Sequence, residues 1–433
     1  MGNSIAVIGA GVGGMAAAYD LVKAGHHVTI YEKESQPGGL AGGFKDEVWD
    51  WSVEKYYHHW FTSDHAILGL IQELGWENKV HFYRPQTVVF HNEDFYPLDS
   101  PLAALMFPGF SLPDKIRFGL VTAYLRYLSG WKHLEKYTAH EWMQRYYGKR
   151  VYQTQFEPLL MGKFSQYYQT VNMAWFWARF KARTPRLGTY EGGFQAFLNE
   201  FAEKLKFMGV DFRYNSTIQS IHPAEGNRIE ILVDGKLSVY DQALATVPPA
   251  LLARLAPALE NPYLQKVTSL KSIGAVVLVM ALKHPLSKKG YYWYNLPKKS
   301  GFPFLALVEH TNFVSPNHFN GDHIIYCGDY LEPDHEYFGL TEEELIARFL
   351  PGIKRINDSF KQDWVRKSWL FRTQYAQPIP EVNHSRNIPA IQTPISNLFF
   401  ASMSQVYPWD RGTNFAVALA RDAARLMVNG IQT

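Results

Sequence analysis

The chain has 433 residues, more than one hydrophobic core usually contains, so we expect two domains. Hydrophobic residues make up 47% and charged residues 19%, a balance typical of a globular protein. The formal net charge is +3, from 43 basic and 40 acidic residues, which is too small to favour a nucleic-acid partner.

A single cysteine, Cys327, excludes an internal disulfide and a multi-cysteine metal site, and we expect no bound metal. One unpaired thiol fits a reducing cytosol, and the direct start on a strand predicts no secretory leader. The sequence contains no run of about 18 uninterrupted apolar residues, so a membrane-spanning helix is not expected. These features predict a cytoplasmic protein.

The first 32 residues have the pattern of a dinucleotide-binding unit. A predicted strand, Ser4–Ile8, leads into a glycine turn, a predicted helix and a second strand. Gly9 permits the tight turn, Gly11 lets the backbone approach a pyrophosphate, and Gly14 lets the helix pack closely on the strand. The helix N-terminus directs free N–H groups at the phosphates. Glu32, about 20 residues further on, accepts hydrogen bonds from a ribose diol.

A second glycine cluster distinguishes between dinucleotides. The doublet Gly38-Gly39 and the doublet Gly42-Gly43 follow shortly after Glu32. An NAD site does not need a second glycine loop here. The longer FAD molecule does, because the backbone must approach its ribityl chain. The alternative interpretation is a flexible loop without a ligand.

Residues 66 to 187 are predicted to be mostly helical. Five segments have apolar residues at helical spacing, namely Ile67–Leu74, Pro113–Leu128, Ala139–Tyr147, Val151–Leu160 and Asn172–Lys181. Thr138 and Glu141 have the spacing of a capping box at the start of the third segment.

From residue 188 the pattern changes to strands with fewer helices. The predicted strands are Val210–Tyr214, Ser216–Ile221, Arg228–Val233, Leu237–Tyr240, Gln242–Val247, Ala275–Ala281, Phe304–Glu309, His323–Tyr330 and Leu398–Ala401. One helix is predicted to open at Tyr190–Phe194 and to run through Ala202–Met208, and two more are predicted at Glu342–Phe349 and Thr413–Val428. We therefore predict an α/β protein. Its Rossmann-like cofactor domain is discontinuous and comprises residues 1–65, 188–264 and 385–433, and an α+β substrate domain with a mixed sheet and helices comprises residues 66–187 and 265–384.

Two further segments have open interpretations. The apolar stretch Leu102–Leu112 favours a place in the core, although it would also suit a membrane surface or the cover of an apolar tunnel. In the predicted helix near residue 180, Arg179 and Arg183 share a face. They would form a wall that binds a carboxylate or diphosphate, or they are cations favoured by the helix C-terminus. For Lys163, too, both an anion-binding role and a purely structural role are possible interpretations.

The order of these motifs resembles the FAD flavoproteins of the amine oxidase, protoporphyrinogen oxidase and phytoene desaturase group. The motifs are the first glycine turn, Gly38-Gly39, Tyr190–Gly193, Thr217–Ile221, Ala245–Pro248 and the closing Ala401–Ala424 segment. The resemblance implies FAD binding over nearly the whole chain, without specifying the reaction.

The same resemblance implies roles for individual residues. The acid that matches Glu32 binds the adenosine ribose, and the residue that matches Ile218 pairs with adenine through its backbone. The start of the last helix, at Gly412, Thr413 and Asn414, faces the flavin, where a helix N-terminus stabilises reduced flavin by about 0.3–1 kcal/mol. The other residues assigned to the cofactor are Lys33, Gly38, Gly39, Leu40, Thr246 and Asp410. Asp410 holds a ribityl hydroxyl or caps the helix.

Some positions depart from the group's pattern. Leu40 stands where Arg is usual, and Ser402–Gln405 stands where amine oxidases often have Gly-Glu. These differences weigh against amine oxidation more than against FAD. No cysteine stands where covalent flavin attachment would be expected, so we expect non-covalent FAD.

A local likeness concerns the reacting centre. The segment Glu54–Thr62 resembles the one that lies against the flavin in UDP-galactopyranose mutase, where His59 matches a histidine near flavin N5. His59 and Tyr56 of this segment are catalytic candidates, and Arg179 of the possible anion-binding wall is the third. The mutase's C-terminal pattern is absent, because Pro408–Gly412 stands in its place.

Three hypotheses follow. The first is an FAD-dependent oxidoreductase that transfers a hydride from a C–C, C–N or C–O bond of a small organic substrate, apolar or anionic, to flavin N5. The second is a mutase-like, non-redox flavoenzyme that acts on a nucleotide sugar through reduced flavin. The third is a flavin-binding scaffold without activity. Besides the substrate, we consider a peripheral membrane contact.

Overall fold

The computed structural model describes residues 2–429, and a parallel sheet organises both ends of this range. Its strand order is β10-β2-β1-β14-β20. The strands are β1 (Ser4–Ile8), β2 (His27–Tyr31), β10 (Asp211–Arg213), β14 (Gln242–Ala245) and β20 (Leu398–Phe400). Alternate residues of β1 enter two different cores, with Ile5 and Val7 on one face and Ala6 and Ile8 on the other. This two-sided burial explains the uninterrupted apolar run of the strand.

Different elements cover the two faces of this sheet. On the Ile5 face lie α1 (Val12–Lys23), α2 (His65–Glu73), α9 (Phe194–Phe207) and α13 (Thr413–Asn429). On the Ala6 face lie an antiparallel meander, β11 (Ile218–Ala224), β12 (Arg228–Val233) and β13 (Lys236–Tyr240), and the helices α10 (Pro249–Leu255) and α11 (Tyr263–Ser269).

A second, mixed sheet has the order β19-β15-β18-β17-β16-β7-β8. The strands are β7 (Gln86–His91), β8 (Asp94–Pro97), β15 (Ser272–Leu282), β16 (Tyr291–Asn295), β17 (Ala306–Glu309), β18 (His323–Leu331) and β19 (Val365–Pro378). Strand β15 pairs antiparallel with both β18 and β19, whereas β16 and β7 are parallel. Helix α12 (Glu342–Ile356) packs against one face.

An aromatic-rich helical layer forms a further core. Its helices are α3 (Pro101–Met106), α4 (Leu112–Ala123), α5 (Ala139–Tyr147), α6 (Lys149–Val151), α7 (Glu157–Phe164) and α8 (Met173–Ala182). A π-helical turn, Tyr124–Leu128, continues α4. Two small sheets complete the connections: β3 (Gly43–Phe44) with β4 (Val53–Glu54), and β5 (Trp60–Phe61), β9 (Leu187–Tyr190) and β6 (Val80–Tyr83).

The predicted α/β class with an α+β second part is confirmed. The expectation of a mostly helical segment at residues 66–187 was too simple, because β6, β7 and β8 lie within it. Helix α2, which the predicted division assigns to the substrate domain, packs in the core of the parallel sheet. The domain boundaries stay a prediction. Within residues 2–429, no helix is both long and apolar enough to cross a membrane.

The core interpretation of Leu102–Leu112 was wrong for most of the segment. Phe107 and Phe110 are buried, but Leu102, Leu105 and Met106 are exposed. The segment breaks at the end of α3, and only one side of each short piece meets the aromatic core.

Candidate functional site

The first glycine turn has the geometry that a dinucleotide requires. Gly9 has φ +108°, in the region that favours glycine. A methyl group on Gly14 would lie 2.1 Å from the carbonyl oxygen of Gly9, so helix and strand are in close contact there. A methyl group on Gly11 would meet no heavy atom of the described residues within 4 Å. The backbone at Gly11, directly before α1, therefore borders open space. Thr246 stands behind the turn, where its hydroxyl donates to the carbonyl of Ile8 at 2.8 Å.

Glu32 lies at the carboxyl end of β2 and is buried. Its carboxylate accepts hydrogen bonds from the backbone N–H groups of Ala10 at 2.8 Å and Glu34 at 3.0 Å. These bonds fix the carboxylate beside the glycine turn. Lys33 is exposed and its ammonium lies 3.5 Å from Glu34, so its side chain is directed to the surface. Ile218 opens β11 opposite Val233, near the loop that follows β10.

The second glycine cluster packs directly against the first. The N–H of Gly38 donates to the carbonyl of Ala10 at 3.0 Å, and Gly11 and Gly38 form a parallel bridge. Gly38 and Gly39 have φ of +149° and +57°. Leu40 is half-buried in the short turn that follows. The two glycine loops therefore form one continuous backbone surface.

The start of α13 reaches the same region. A methyl group on Gly13 of α1 would lie 3.2 Å from the carbonyl oxygen of Ala416, so the two helices meet near their N-termini. The Thr413 hydroxyl accepts from the Trp60 indole N–H at 2.9 Å. The Asn414 side chain accepts from the backbone N–H groups at the start of α2. These two side chains are thus directed into the protein, and at Gly412 the backbone itself borders open space among the described residues.

Asp410, just before α13, is the centre of a buried ionic cluster. One carboxylate oxygen lies 3.0 Å from Arg179, 3.4 Å from Lys163 and 3.8 Å from Arg183. The other accepts from the indole N–H of Trp175 at 3.2 Å. Asp410 therefore holds cations from α7 and α8 and does not make a side-chain cap on α13.

Arg411 adds a fourth cation to this cluster. Its guanidinium donates to the side-chain oxygen of Gln377 and to the hydroxyl of Tyr330, and it lies 4.9 Å from the centre of the Tyr330 ring. Lys163 lies 5.4 Å from the same ring centre. We name Lys163, Arg179, Arg183 and Arg411, with Asp410, the cation cluster.

Burial and mutual repulsion shift the pKa values in the cation cluster. Burial lowers the pKa of Lys163 well below its usual range, although Asp410 opposes this. Burial and the neighbouring Arg183 lower the pKa of Arg179 to about 9. Burial alone would raise the pKa of Asp410, but the surrounding cations hold it well below the usual range. Asp410 is therefore ionised at neutral pH, and the cluster has more positive than negative charge.

His59 lies beside the cation cluster. Its Nδ1 atom is buried without a hydrogen-bond partner among the described residues. Burial, with Arg183 next in effect, lowers the pKa of His59 to about 3, so the imidazole is neutral at neutral pH. His58 faces the carbonyl of Tyr56 instead, and the pKa of the Tyr56 phenol is raised by burial. The structure thus brings His59 and Arg179 into one region and gives Tyr56 a backbone contact with His58.

The residues present fit an FAD molecule. The glycine loops and the start of α13 leave backbone groups facing open space, and the Glu32 carboxylate stands at the end of β2 as a ribose site requires. Gln195 fixes the second loop, because its side-chain oxygen accepts from the N–H of Gly43 at 2.8 Å.

Sequence reasoning missed Gln195, Tyr330 and Gln377. Tyr330 could have been proposed from the sequence. Tyr326, Gly328 and Tyr330 are two residues apart in a predicted strand, so their positions share one face of β18. For Gln377 we find no local signal, since β19 was not predicted.

Curated relatives match parts of the chain. The 15-cis-phytoene desaturase of Synechococcus elongatus is 29% identical over 157 residues, covering 33% of each chain. That of Solanum lycopersicum is 25% identical over 377 residues, covering 79% of this chain and 61% of the relative. The coproporphyrinogen III oxidase of Staphylococcus aureus is 20% identical over 288 residues, 57% of this chain and 61% of the relative. The chain thus spans between a third and about three fifths of these relatives' length.

Solved structures share the fold over the whole chain. A putative protoporphyrinogen oxidase from Exiguobacterium sp. 255-15 has a TM-score of 0.79 at 16% identity, with complete coverage of both chains. Reduced UDP-galactopyranose mutase has a TM-score of 0.77 at 16% identity and covers 100% of this chain and 96% of its own. Putrescine oxidase bound to putrescine has a TM-score of 0.74 at 15% identity, with 99% coverage of both chains.

A family match covers almost the entire sequence. The family described as flavin containing amine oxidoreductase matches residues 12–428. This range includes the helix of the first glycine turn, the cation cluster and all but the last residue of α13. The expected membership of the amine oxidase superfamily is confirmed, and with it, at the level of the family, the expectation of a flavin-dependent oxidoreductase. The chain therefore belongs to the flavin-containing amine oxidoreductase family.

Proposed function

We propose that the protein is an oxidoreductase that binds FAD non-covalently and oxidises a C–C, C–N or C–O bond of a small organic substrate. When bound, FAD would supply the hydride acceptor. The observation that carries this proposal is the continuous backbone surface at Gly11 and Gly38, which borders open space beside the start of α1.

Several residues have roles in this proposal. Glu32 and the backbone of Gly11 and Gly39 would hold the cofactor. Its other end would lie beside Gly412, where the positive end of α13 favours negative charge. Non-covalent binding is supported by Cys327, whose side chain is buried in the core of the second sheet.

His59 would be a positioning residue beside the reacting atoms. Because burial lowers its pKa to about 3, the imidazole stays neutral and is a weak base at neutral pH, so it would act as a neutral hydrogen-bonding group. Its unpartnered Nδ1 atom is the group that would make this bond. Tyr56, whose phenol keeps its proton, would contribute packing rather than proton transfer.

The test uses a glycine variant that keeps the fold. Gly11 has φ −68°, which any residue adopts, and open space on its Cβ side. Gly11→Val would therefore fold but would fill the space for the pyrophosphate. The control is Gly69→Ala in α2, where a methyl group is also unobstructed by the described residues.

The wild-type protein and the control should absorb at about 450 nm when purified and release FAD on acid precipitation, as expected for a bound flavin cofactor. Gly11→Val should be colourless at the same helix content. Anaerobic bleaching by amines, polyenes or porphyrinogens would then identify the substrate class. A colourless wild type that also fails to take up added FAD overturns the proposal.

A mutase-like reaction on a nucleotide sugar, without net oxidation, is a second candidate. The cation cluster beside His59 favours it, because a sugar nucleotide carries a diphosphate. This candidate requires activity with the prereduced protein only. Isomerisation of a nucleotide sugar by the reduced protein, without bleaching by any oxidisable substrate, would select it over oxidation.

We also propose that the protein contacts the cytoplasmic side of a membrane. A row of large apolar side chains runs along α4 and its π-helical extension, where Leu112, Leu120 and Leu128 are 70%, 68% and 80% exposed. Leu102 and Met106 of the preceding helix α3 are also largely exposed, and we name these five side chains the apolar ridge. Exposed apolar side chains of this kind suit an acyl-chain boundary.

Charge complementarity favours an anionic lipid surface. Residues 101–150 contain eight Lys and Arg against three Asp and Glu, a net charge of +5, which exceeds the net charge of the whole chain. Exposed cations such as Lys132, Arg145 and Lys149 accompany the ridge. Cations of this kind add about 1 kcal/mol each near an anionic leaflet.

Sedimentation with phosphatidylglycerol vesicles tests the contact. The wild type should pellet at low salt and less at high salt. A Leu120→Glu, Leu128→Glu double variant should stay in the supernatant. Phe207→Glu, at an 86% exposed apolar residue of α9, is the control and should pellet like the wild type. A wild type that does not pellet with these vesicles overturns the proposal.

A further inference from the structure

We propose that the cation cluster binds a phosphate or diphosphate group of the substrate. This inference rests on the proposed function, because it names the class of substrate that this flavoprotein would accept. It assigns the group to Lys163, Arg179, Arg183 and Arg411, which converge beside His59.

The charge balance of the cluster is the first argument. Three arginines and Lys163 surround one carboxylate, Asp410, so within the described residues the cluster carries an excess of two positive charges from the arginines alone, and of three when Lys163 is protonated. Side-chain exposure is 12% for Lys163, 10% for Arg179 and 20% for Arg411. Buried charge of one sign is unfavourable unless an opposite charge compensates it. A bound anion would supply the negative charge that the cation cluster lacks.

The valence of the anion follows from the same balance. A carboxylate would neutralise one charge and leave at least one uncompensated. A phosphate or diphosphate group carries about two negative charges or more, and its oxygens match the planar fork of guanidinium groups. Three of the four cations are arginines, which favours a phosphoryl group.

Arg183 is the most exposed cation of the cluster and marks the side from which an anion would enter. Its side chain is 45% exposed, and its contact with Asp410, at 3.8 Å, is the longest of the three that α7 and α8 supply. Arg183 lies over the ring of Phe61, 5.7 Å from its centre, two residues beyond His59. An anion that enters past Arg183 would therefore place the rest of the substrate next to His59.

The cofactor's own pyrophosphate has a different place. Its cradle is the glycine turn at the end of β1, whereas Arg411 contacts Tyr330 of β18 and Gln377 of β19, in the second sheet. The cluster thus lies between the mixed sheet and the helical layer, apart from the glycine turn. The anion that it binds is therefore a group of the substrate and not the pyrophosphate of the cofactor.

The test is calorimetric titration of the purified protein with inorganic pyrophosphate, inorganic phosphate and acetate at equal ionic strength. We expect pyrophosphate or phosphate to bind at least about tenfold more tightly than acetate, a difference of roughly 1.4 kcal/mol. Arg183→Gln should weaken that binding about tenfold or more. Because Arg183 is half-exposed and loosely paired, this variant should keep its fold and its flavin absorbance.

Arg425→Gln is the matched control, since Arg425 is an exposed arginine of α13 paired with Asp422. It should leave anion binding unchanged. Equal binding of the three anions, or equal loss in the Arg183 and Arg425 variants, overturns the inference. A protein that holds FAD but does not prefer phosphoryl anions refutes this inference alone. One that binds pyrophosphate but no FAD refutes the proposed oxidoreductase and leaves the anion site standing.

Discussion

Replacing Asp410 by Asn should destabilise the protein mainly through charge. The Asn side-chain oxygen can still accept from the Trp175 indole and from the backbone N–H of Arg411, at 3.2 and 3.1 Å in the wild type. The bonds that lose their negative partner are those of Arg179 and Lys163, at 3.0 and 3.4 Å. Removing one partner of a buried ion pair costs about 3–5 kcal/mol.

Lys163 limits the cost of this change. Its pKa is already lowered by burial, so without Asp410 it releases its proton and removes one of the uncompensated charges. We therefore expect about 3 kcal/mol, the lower end of the range, at neutral pH. The deficit should grow as the pH falls, because Lys163 must then take up its proton in the folded state.

Urea denaturation followed by tryptophan fluorescence measures the effect, and Trp175 reports on the cluster directly. Asp422→Asn is the control, because that exposed carboxylate of α13 also pairs with an arginine and should contribute about 0–1 kcal/mol. If the two variants unfold at the same urea concentration, the cluster is solvated and the charge argument is refuted.

Three further changes give separate tests. Gly14→Ala places a methyl group 2.1 Å from the Gly9 carbonyl oxygen and should abolish both FAD uptake and cooperative unfolding. The control, Gly69→Ala, should stabilise α2 by about 0.5–1 kcal/mol. Equal thermal unfolding curves for the two variants would contradict this expectation. Burial raises the pKa of Glu54 from 4.5 to about 7, so its folded form binds more protons than its unfolded form and stability should fall as the pH rises from 5 to 7. Glu54→Gln should flatten that slope in urea titrations, and an unchanged slope would show that other groups cause it. Asn414→Ala removes the side-chain oxygen that accepts from the backbone N–H groups of Ala66 and Ile67 at the start of α2. It should cost about 0.5–2 kcal/mol of unfolding free energy, and a smaller loss would count against the capping role.

The sequence predicted best where local signals agree. Helix α5 has the predicted limits, because apolar residues recur at helical spacing and Thr138 accepts from the N–H of Glu141. The glycine turn was equally predictable, since Gly9 and Gly14 are required by backbone geometry alone. Strand β19 was missed, because Arg366, Lys367 and other polar residues interrupt its apolar pattern and its pairing partner β15 is distant in sequence.

The candidate site was predictable only in part. Arg179 and Arg183 both reach Asp410, but not from one helix face as expected, because α8 ends at Ala182 and Arg183 has extended backbone. Their meeting with Lys163 and Arg411 depends on how α7, α8 and the segment before α13 pack together. Such a cluster has no local sequence pattern. The sequence could therefore indicate the individual residues as candidates but could not predict that they lie together.

The position of α13 has a consequence for the order of assembly during synthesis. The core begun by Ile5 and Val7 on β1 also contains Val417, Ala420 and Met427 of α13, some 400 residues later. A ribosome must therefore translate the entire intervening chain before this core can close. Until then the growing chain exposes apolar surface that is prone to aggregation and that chaperones recognise. The first glycine turn, although among the earliest residues made, becomes a complete site only when one of the latest helices arrives.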